Sequence, residues 1–338
     1  MKETVCFEDV LLEPQYSEIN SRSEINLGNT LKNMDTIELP IISAPMDTVT
    51  ETSMAIAMNM AGGLGIIHRY NSIDKQAELV NDACLKGMCN VGAAIGVSGD
   101  FAQRARSVRD AGANVICVDV AHGHHAKVRY ALQVLRNTLG NTVHIMAGNV
   151  ATLCAFNDLA DWGADSIRVG IGGGSICSTR IQTGHGVPTL QSIIDCACSD
   201  RDAMLIADGG IKTSGDIVKA LGVGADFVML GSLLAGTDET PGELLTTTSG
   251  QKVKVYRGMA SKEAQKDWRG QFSSIEGISH IVTHKGSVRD VLKELEIGIR
   301  SGLSYSGAHN IQELQAKARL ILQSSSSQFE SSTHIKGI

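Results

Sequence analysis

Apolar positions along this chain gather into eight short, largely β-branched runs, at residues 39–44, 64–67, 91–95, 115–120, 143–147, 166–169, 204–207 and 227–230. Between them lie stretches with apolar residues at helical spacing, among them 75–86, 102–111, 125–138, 189–197 and 214–221. Most of the short runs are almost continuously apolar, as expected of strands covered on both faces. Regular alternation of such strands with amphipathic helices predicts a parallel sheet, and eight units predict its closure into a (β/α)₈ barrel. The rival is an open doubly wound sheet, which calls for a GxGxxG turn after the first strand. Met46-Asp47-Thr48-Val49-Thr50 stands there instead. Residues 1–322 are therefore read as one barrel domain, and 323–338 as a tail whose serine run at 324–327 is flexible.

Polar or glycine-rich residues cluster directly after the strands, at the end where barrel enzymes carry their active sites. They are Met46-Asp47, Asp119 with Ala121-His122-Gly123-His124, Gly148-Asn149, Asp208-Gly209-Gly210, Gly231-Ser232 and a loop around Cys177. Each alone could be an ordinary turn or helix start. Six at the same end of successive strands are not explained that way. The loops after strands seven and eight are the usual phosphate-binding pair in barrels.

The cysteine loop reads Gly170-Ile171-Gly172-Gly173-Gly174-Ser175-Ile176-Cys177-Ser178-Thr179-Arg180. Four glycines in five residues let backbone amides approach a ligand closely and stabilise a thiolate or an anion. A plain structural cysteine after a glycine turn is the alternative. Composition narrows the rest. Glycine is frequent (36) and proline scarce (5), which suits many tight strand–helix turns, and the net charge of −6 argues against nucleic acid or a membrane surface as partner. Eight cysteines show no CxxC pair, so reduced thiols in a cytoplasmic protein are expected. No signal peptide or bilayer-length apolar run is expected either. His122-Gly123-His124-His125 offers imidazoles at close spacing but no neighbouring cysteine and no HExxH pattern, a weak zinc signal.

Several of these stretches resemble the IMP dehydrogenase/GMP reductase family. They are Phe7-Glu8-Asp9-Val10-Leu11-Leu12, Met46-Asp47-Thr48-Val49, Gly62-Gly63-Leu64-Gly65-Ile66-Ile67-His68, the cysteine loop, and Ala207-Asp208-Gly209-Gly210-Ile211. Met229-Leu230-Gly231-Ser232, Tyr256-Arg257-Gly258-Met259 and Gly302-Leu303-Ser304-Tyr305-Ser306-Gly307-Ala308 extend the likeness over nearly the whole chain. Dehydrogenases of the family usually insert a pair of regulatory CBS modules after the second strand. Here Ile67 runs through one helix directly into the third strand. Dehydrogenases also resemble one another in a long flap carrying an Arg-Tyr pair that activates water. The mobile flap expected here, about residues 261–285, holds only SKEAQKDWRGQFSSI between Ala260 and Glu276. Thr183-Gly184-His185-Gly186 and Ser21-Arg22 are reductase-like, whereas the sequences at 45–51 and 62–65 are closer to dehydrogenases. Phe272-Ser273 stands where reductases tend to carry Tyr-Arg.

The resemblance implies an NADPH-dependent GMP reductase, with an NAD-dependent IMP dehydrogenase without CBS modules as the alternative. It implies Cys177 as nucleophile, with Thr179 and Glu276 supplying the proton for the leaving amine. Plain structural roles for these two, a helix N-cap for Thr179 and a solvated loop residue for Glu276, stay open. Ser175, Gly210, Gly231 and Ser232 would hold the 5′-phosphate, Asp208 beside Gly209 the ribose hydroxyls, and Met46, Tyr256, Gly258, Met259 and Ala260 the base side of the pocket. The cofactor would lie along Asp119, Val120, Ala121, Asn149, Ile171 and Gly172, with Ser21, Arg22 and Arg69 as polar or cationic contacts. The family's monovalent-cation cage, occupied by potassium, maps onto the carbonyls of Gly172, Gly174, Cys177 and Arg180. Glu330-Ser331-Ser332 resembles the segment with which a neighbouring subunit completes that cage, which implies a homotetramer. A nucleotide-binding barrel that has lost its chemistry is the non-catalytic alternative.

Overall fold

A computed structural model describes residues 2–87, 90–271 and 275–331. Its centre is a closed parallel barrel of eight strands. These are β1 (Ile41–Ser43), β2 (Leu64–Ile67), β3 (Val91–Ile95), β4 (Val115–Asp119), β5 (His144–Val150), β6 (Ser166–Val169), β7 (Met204–Asp208) and β8 (Phe227–Leu230). Each strand pairs with the next in sequence, and β8 closes on β1 through Met229 opposite Ile42. The eight runs read from the sequence are these eight strands. The barrel helices are α1 (Thr52–Met60), α2 (Ile73–Leu85), α3 (Phe101–Asp110), α4 (Ala126–Leu139), α5 (Leu153–Asp161), α6 (Thr189–Cys196), α7 (Ser214–Gly222) and α8 (Val288–Tyr305).

Side chains alternate across each strand, so one face fills the barrel and the other packs under the helices. Ile42, Val115, Cys117, Met146, Ile206, Phe227 and Met229 form the inner cluster, while Ile41, Ile116, Val118, Leu205 and Val228 join the outer one. The inner space is narrow: a Cβ on Gly92 would sit 2.2 Å from Ile66 Cδ1. A small hairpin (Asn29–Thr30 with Thr36–Ile37) adds Leu31 and Ile37 to the inner cluster. Helix starts carry their own caps. Thr213 and Asp216 form a reciprocal capping box on α7, and Thr152 accepts from Ala155 N on α5.

Two additions to the barrel matter for function. Strand Lys252–Arg257 pairs antiparallel with Ser279–Thr283 and with Leu245–Thr246, and the connecting segment carries the helix Lys262–Arg269. The expected flap of about 261–285 is therefore a helix followed by an anchored strand; Phe272-Ser273 lies outside the described residues. At the other end, Val10–Leu12 pairs with Leu320–Leu322. The short helix Ser325–Glu330 follows, with Gln328 Nε2 donating to Asp9 Oδ1 at 3.1 Å. Within one chain this places Glu330 and Ser331 beside the N-terminal segment, not beside the cysteine loop; Ser332 is outside the described residues.

Candidate active site

A cavity of about 390 Å³ opens at the carboxyl ends of the barrel strands. Every strand-end cluster predicted from the sequence contributes to it: Met46, Asp119 to Ala121, Asn149, the loop Gly170 to Cys177, Asp208 to Gly210, and Gly231-Ser232. Tyr256, Gly258, Met259, Ala260 and Glu276 reach it from the flap side, and Arg69 from the loop after β2.

At its floor Cys177 Sγ lies 3.1 Å from Thr179 Oγ1, which donates to Glu276 Oε2 at 2.9 Å. Thr179 is the first residue of the short helix Thr179–Thr183, so its hydroxyl is not spent on capping; Ser178 holds the cap position. Glu276 is held at this distance by a bridge between the cysteine loop and the flap. Ser178 N donates to Glu276 O at 2.9 Å and Ile278 N to Ile176 O at 3.1 Å. The geometry draws a line S–H, O–H, carboxylate: a thiol proton can move to Glu276 and return. Gly170 makes the loop possible. Its φ is +148°, and a Cβ there would fall 1.9 Å from Asp208 O.

Asp208 ends β7. Its Oδ2 accepts from Arg168 Nη2 (2.8 Å), Arg168 Nε (3.2 Å) and Asn149 Nδ2 (2.8 Å). Among the described residues nothing bonds to Oδ1, so one carboxylate oxygen remains for a diol. Arg168 was not foreseen. It sits at 6% exposure in the middle of β6 and also donates through Nη1 to Asp119 Oδ1 at 2.7 Å. Burial opposes its charge, yet Asp208 and Asp119 hold the guanidinium more firmly protonated than usual. An arginine inside an otherwise apolar strand run has to be paired, and that signal stood in the sequence at 166–169.

Opposite, the Tyr256 hydroxyl bonds to Ser175, and burial pushes its pKa up to about 12, so it stays a donor. Gly231 passes so close that a Cβ would meet Tyr256 Oη at 2.9 Å. Gly209 and Gly210 take φ of +86° and +79°, turning the β7 loop back on Gly173 and Gly174. Ser175, Gly210, Gly231 and Ser232 thus surround one end of the cavity with amides and hydroxyls, a suitable anion cradle.

Along the remaining wall, Arg69 Nη2 donates to Asp119 O at 3.2 Å. Its guanidinium lies 5.4 and 5.5 Å from the ring centres of Tyr70 and Trp268, which stack at 4.2 Å. Tyr70 Oη donates to Met259 O at 2.7 Å. Arg257 joins the flap helix to the first strand loop by bonding Asp47 at 2.6 Å and Asp267 at 2.5 Å. Tyr70, Trp268 and Arg257 were missed as positioning residues because only the fold brings them together. Ser21 and Arg22 are not brought to this cavity within one chain. Ser21 caps a turn whose Arg22 carbonyl accepts from Arg300 on α8.

The four carbonyls expected for a monovalent cation lie on one turn and its helix. Gly174 O already accepts from Cys177 N and Arg180 O from Gly184 N, while no hydrogen bond among the described residues reaches Gly172 O or Cys177 O. Each engaged oxygen keeps a second lone pair, so the donor set fits a hard cation.

A family model described as the IMP dehydrogenase/GMP reductase domain matches residues 4–334. The IMP dehydrogenase of Nitrosopumilus maritimus is 34% identical over 98% of both chains, in an alignment of 470 positions that shows inserted segments absent here. The IMP dehydrogenase of Cryptosporidium parvum is 38% identical over 98% of this chain and 94% of its own, and the GMP reductase of Leishmania major 32% over 99% and 97%. A crystal structure of a cysteine-to-alanine variant of GMP reductase from Trypanosoma brucei, in complex with guanosine 5′-monophosphate, superposes with a TM-score of 0.93 at 30% identity, covering 100% of this chain and 99% of the other. Fold, cavity and sequence agree: the chain belongs to the IMP dehydrogenase/GMP reductase family of purine nucleotide oxidoreductases.

Proposed function

We propose that this protein is a GMP reductase, converting GMP, NADPH and a proton to IMP, ammonia and NADP⁺. Cys177 thiolate adds to C2 of the purine after its proton passes through Thr179 to Glu276. That proton then leaves with the exocyclic amine as ammonia, so the thiol has replaced the amine and a thioimidate remains. NADPH supplies the hydride to C2. The C2–S bond breaks, IMP departs, and the thiolate is reprotonated from solvent by way of Glu276. Asp208 Oδ1 takes the ribose hydroxyls, the cradle of Ser175, Gly210, Gly231 and Ser232 takes the 5′-phosphate, and the nicotinamide lies along Asp119 to Ala121 and Asn149. A monovalent cation held by carbonyls of Gly172, Gly174, Cys177 and Arg180, a homotetramer and a cytoplasmic location belong to the same reading. The seven described cysteines are all free thiols, in keeping with that location.

What carries the reading is the unbroken line from Cys177 through Thr179 to Glu276, in a chain whose flap has no Arg-Tyr pair to activate water. General-base help of that kind is worth about 10²–10⁴ in rate, and a dehydrogenase needs it to hydrolyse the same thioimidate. One observation favours the dehydrogenase: Arg69 and Tyr70 form an adjacent arginine–tyrosine pair on the cavity wall. Their groups are committed elsewhere, the tyrosine hydroxyl to Met259 O and the guanidinium to the Tyr70 and Trp268 rings. Purified protein is to be followed at the nicotinamide absorbance with GMP plus NADPH and, separately, with IMP plus NAD⁺. Sustained oxidation of NADPH with IMP appearing supports the reductase; sustained NADH formation with XMP assigns the dehydrogenase.

A further inference from the structure

Outside the cavity, the loop between β4 and α4 meets α5 at a second cluster of chemically able side chains. Gly123 N donates to Asn149 O at 2.7 Å, and His125 Nδ1 caps α4 by accepting from Lys127 N. Those two anchors fix His124 between them, against α5. Cys154 and Asp158 stand four residues apart on α5, hence on one face of the helix. A ring nitrogen of His124, Cys154 Sγ and a carboxylate oxygen of Asp158 all lie within 4.8 Å of one another. Cys154 is exposed and its thiol is free. The histidine run at 122–125 lacked a neighbouring cysteine in sequence; the fold supplies one from 29 or more positions downstream.

We propose that His124, Cys154 and Asp158 bind a thiophilic divalent cation of the Zn²⁺ class. One imidazole, one thiolate and one carboxylate is a donor set that borderline-soft metals prefer over Mg²⁺ or Ca²⁺. Bond lengths of ~2.0–2.3 Å require the donor atoms to stand roughly 3.3–3.7 Å apart around a tetrahedral ion. The present triangle reaches that by side-chain rotation: His124 Nε2 and Asp158 Oδ2, now hydrogen-bonded at 2.7 Å, open slightly and Cys154 Sγ closes in. Binding releases the Cys154 thiol proton and, when His124 is charged, the proton it shares with Asp158. The fourth position is left to water. Thiolate, carboxylate and a divalent ion sum to zero charge, so no further counter-charge is needed.

The test is a titration of the reduced full-length protein with CoCl₂, whose thiolate complexes absorb by charge transfer, followed by displacement with ZnCl₂. The expected result is one Co²⁺ per chain, displaced by one Zn²⁺. Trp162 fluorescence should change in step, because the His124 ring stacks on that indole at 5.9 Å. Cys154→Ser should abolish the charge-transfer band, and His124→Asn should weaken binding at least tenfold. Cys177→Ser and Cys198→Ser should leave both intact. Absence of a band at one equivalent overturns the site. So does a band that survives Cys154→Ser, or one that disappears in Cys177→Ser.

Discussion

Cys177→Ala removes the sulfur but leaves the phosphate cradle and Asp208 untouched. Turnover should fall below about 1% of wild type while GMP affinity, read by calorimetry, stays within about twofold. Substantial residual turnover would rule out the covalent route. Glu276→Gln keeps the shape and the hydrogen bond from Thr179 but cannot take the thiol proton. Deamination, measured as ammonia in a rapid quench, should slow about 10²–10⁴-fold, and hydride transfer to a preformed thioimidate far less. Equal slowing of both steps would make Glu276 a positioning residue only. Cys177 and Asp208 were legible because strand ends advertise polar chemistry, Thr179 and Glu276 only through the family resemblance; all four line one cavity. Arg168 was overlooked: the sequence shows a charge inside an apolar strand run, but its partners Asp119 and Asp208, 89 positions apart, meet it only in the fold. Removing one member of such a buried charge chain typically costs about 3–5 kcal/mol, so Arg168 serves stability and the orientation of Asp208 together.

The cysteine loop depends on one backbone position more than on any side chain. In Gly170→Ala the new Cβ would meet Asp208 O at 1.9 Å, at a φ that L-residues rarely adopt. Denaturant unfolding should show a loss of at least about 2 kcal/mol, with activity falling alongside. Gly184, in the ordinary left-handed conformation (φ +70°, ψ +5°) with open space around its Cβ, is the control, and Gly184→Ala should cost only about 1 kcal/mol. Equal costs at the two positions would show that the approach to Asp208 O does not matter. Elements were read unevenly for physical reasons. The eight strands announced themselves as apolar runs bounded by turns. Helix α1, TSMAIAMNM, carries no charged face, because it is wedged between the barrel and its neighbours, so no amphipathic period marks it. The helix Lys262–Arg269 within the flap went unread because its anchors lie far off in sequence: Tyr70 stacks on Trp268, and Arg257 ties Asp267 to Asp47.

At the scale of the molecule, the barrel end opposite the cavity carries a pH-dependent weak point. His144, fully buried at the start of β5, donates from Nδ1 to Lys32 O at 3.2 Å and shares a 2.7 Å hydrogen bond between Nε2 and Ser166 Oγ. Burial pushes its pKa down from 6.5 to about 4. The unfolded chain therefore takes up this proton first. Stability from His144 is complete above about pH 6.5 and drains away as pH falls towards 4, by about 1.4 kcal/mol per unit. His144→Gln should lower stability at neutral pH and flatten that acid limb in urea unfolding; an unchanged limb would acquit His144. The barrel itself was legible from strand count and alternation, whereas this contact was not, because Lys32 belongs to a hairpin with no barrel signal. In the proposed reductase, the thioimidate exchanges with ammonia and is not hydrolysed. Enzyme mixed with IMP and NADP⁺ should therefore release reduced cofactor in a burst of at most one equivalent per active site, stall, and resume with formation of GMP when ammonia is added. Linear formation of reduced cofactor with XMP accumulating over many turnovers, without ammonia, would overturn the reductase.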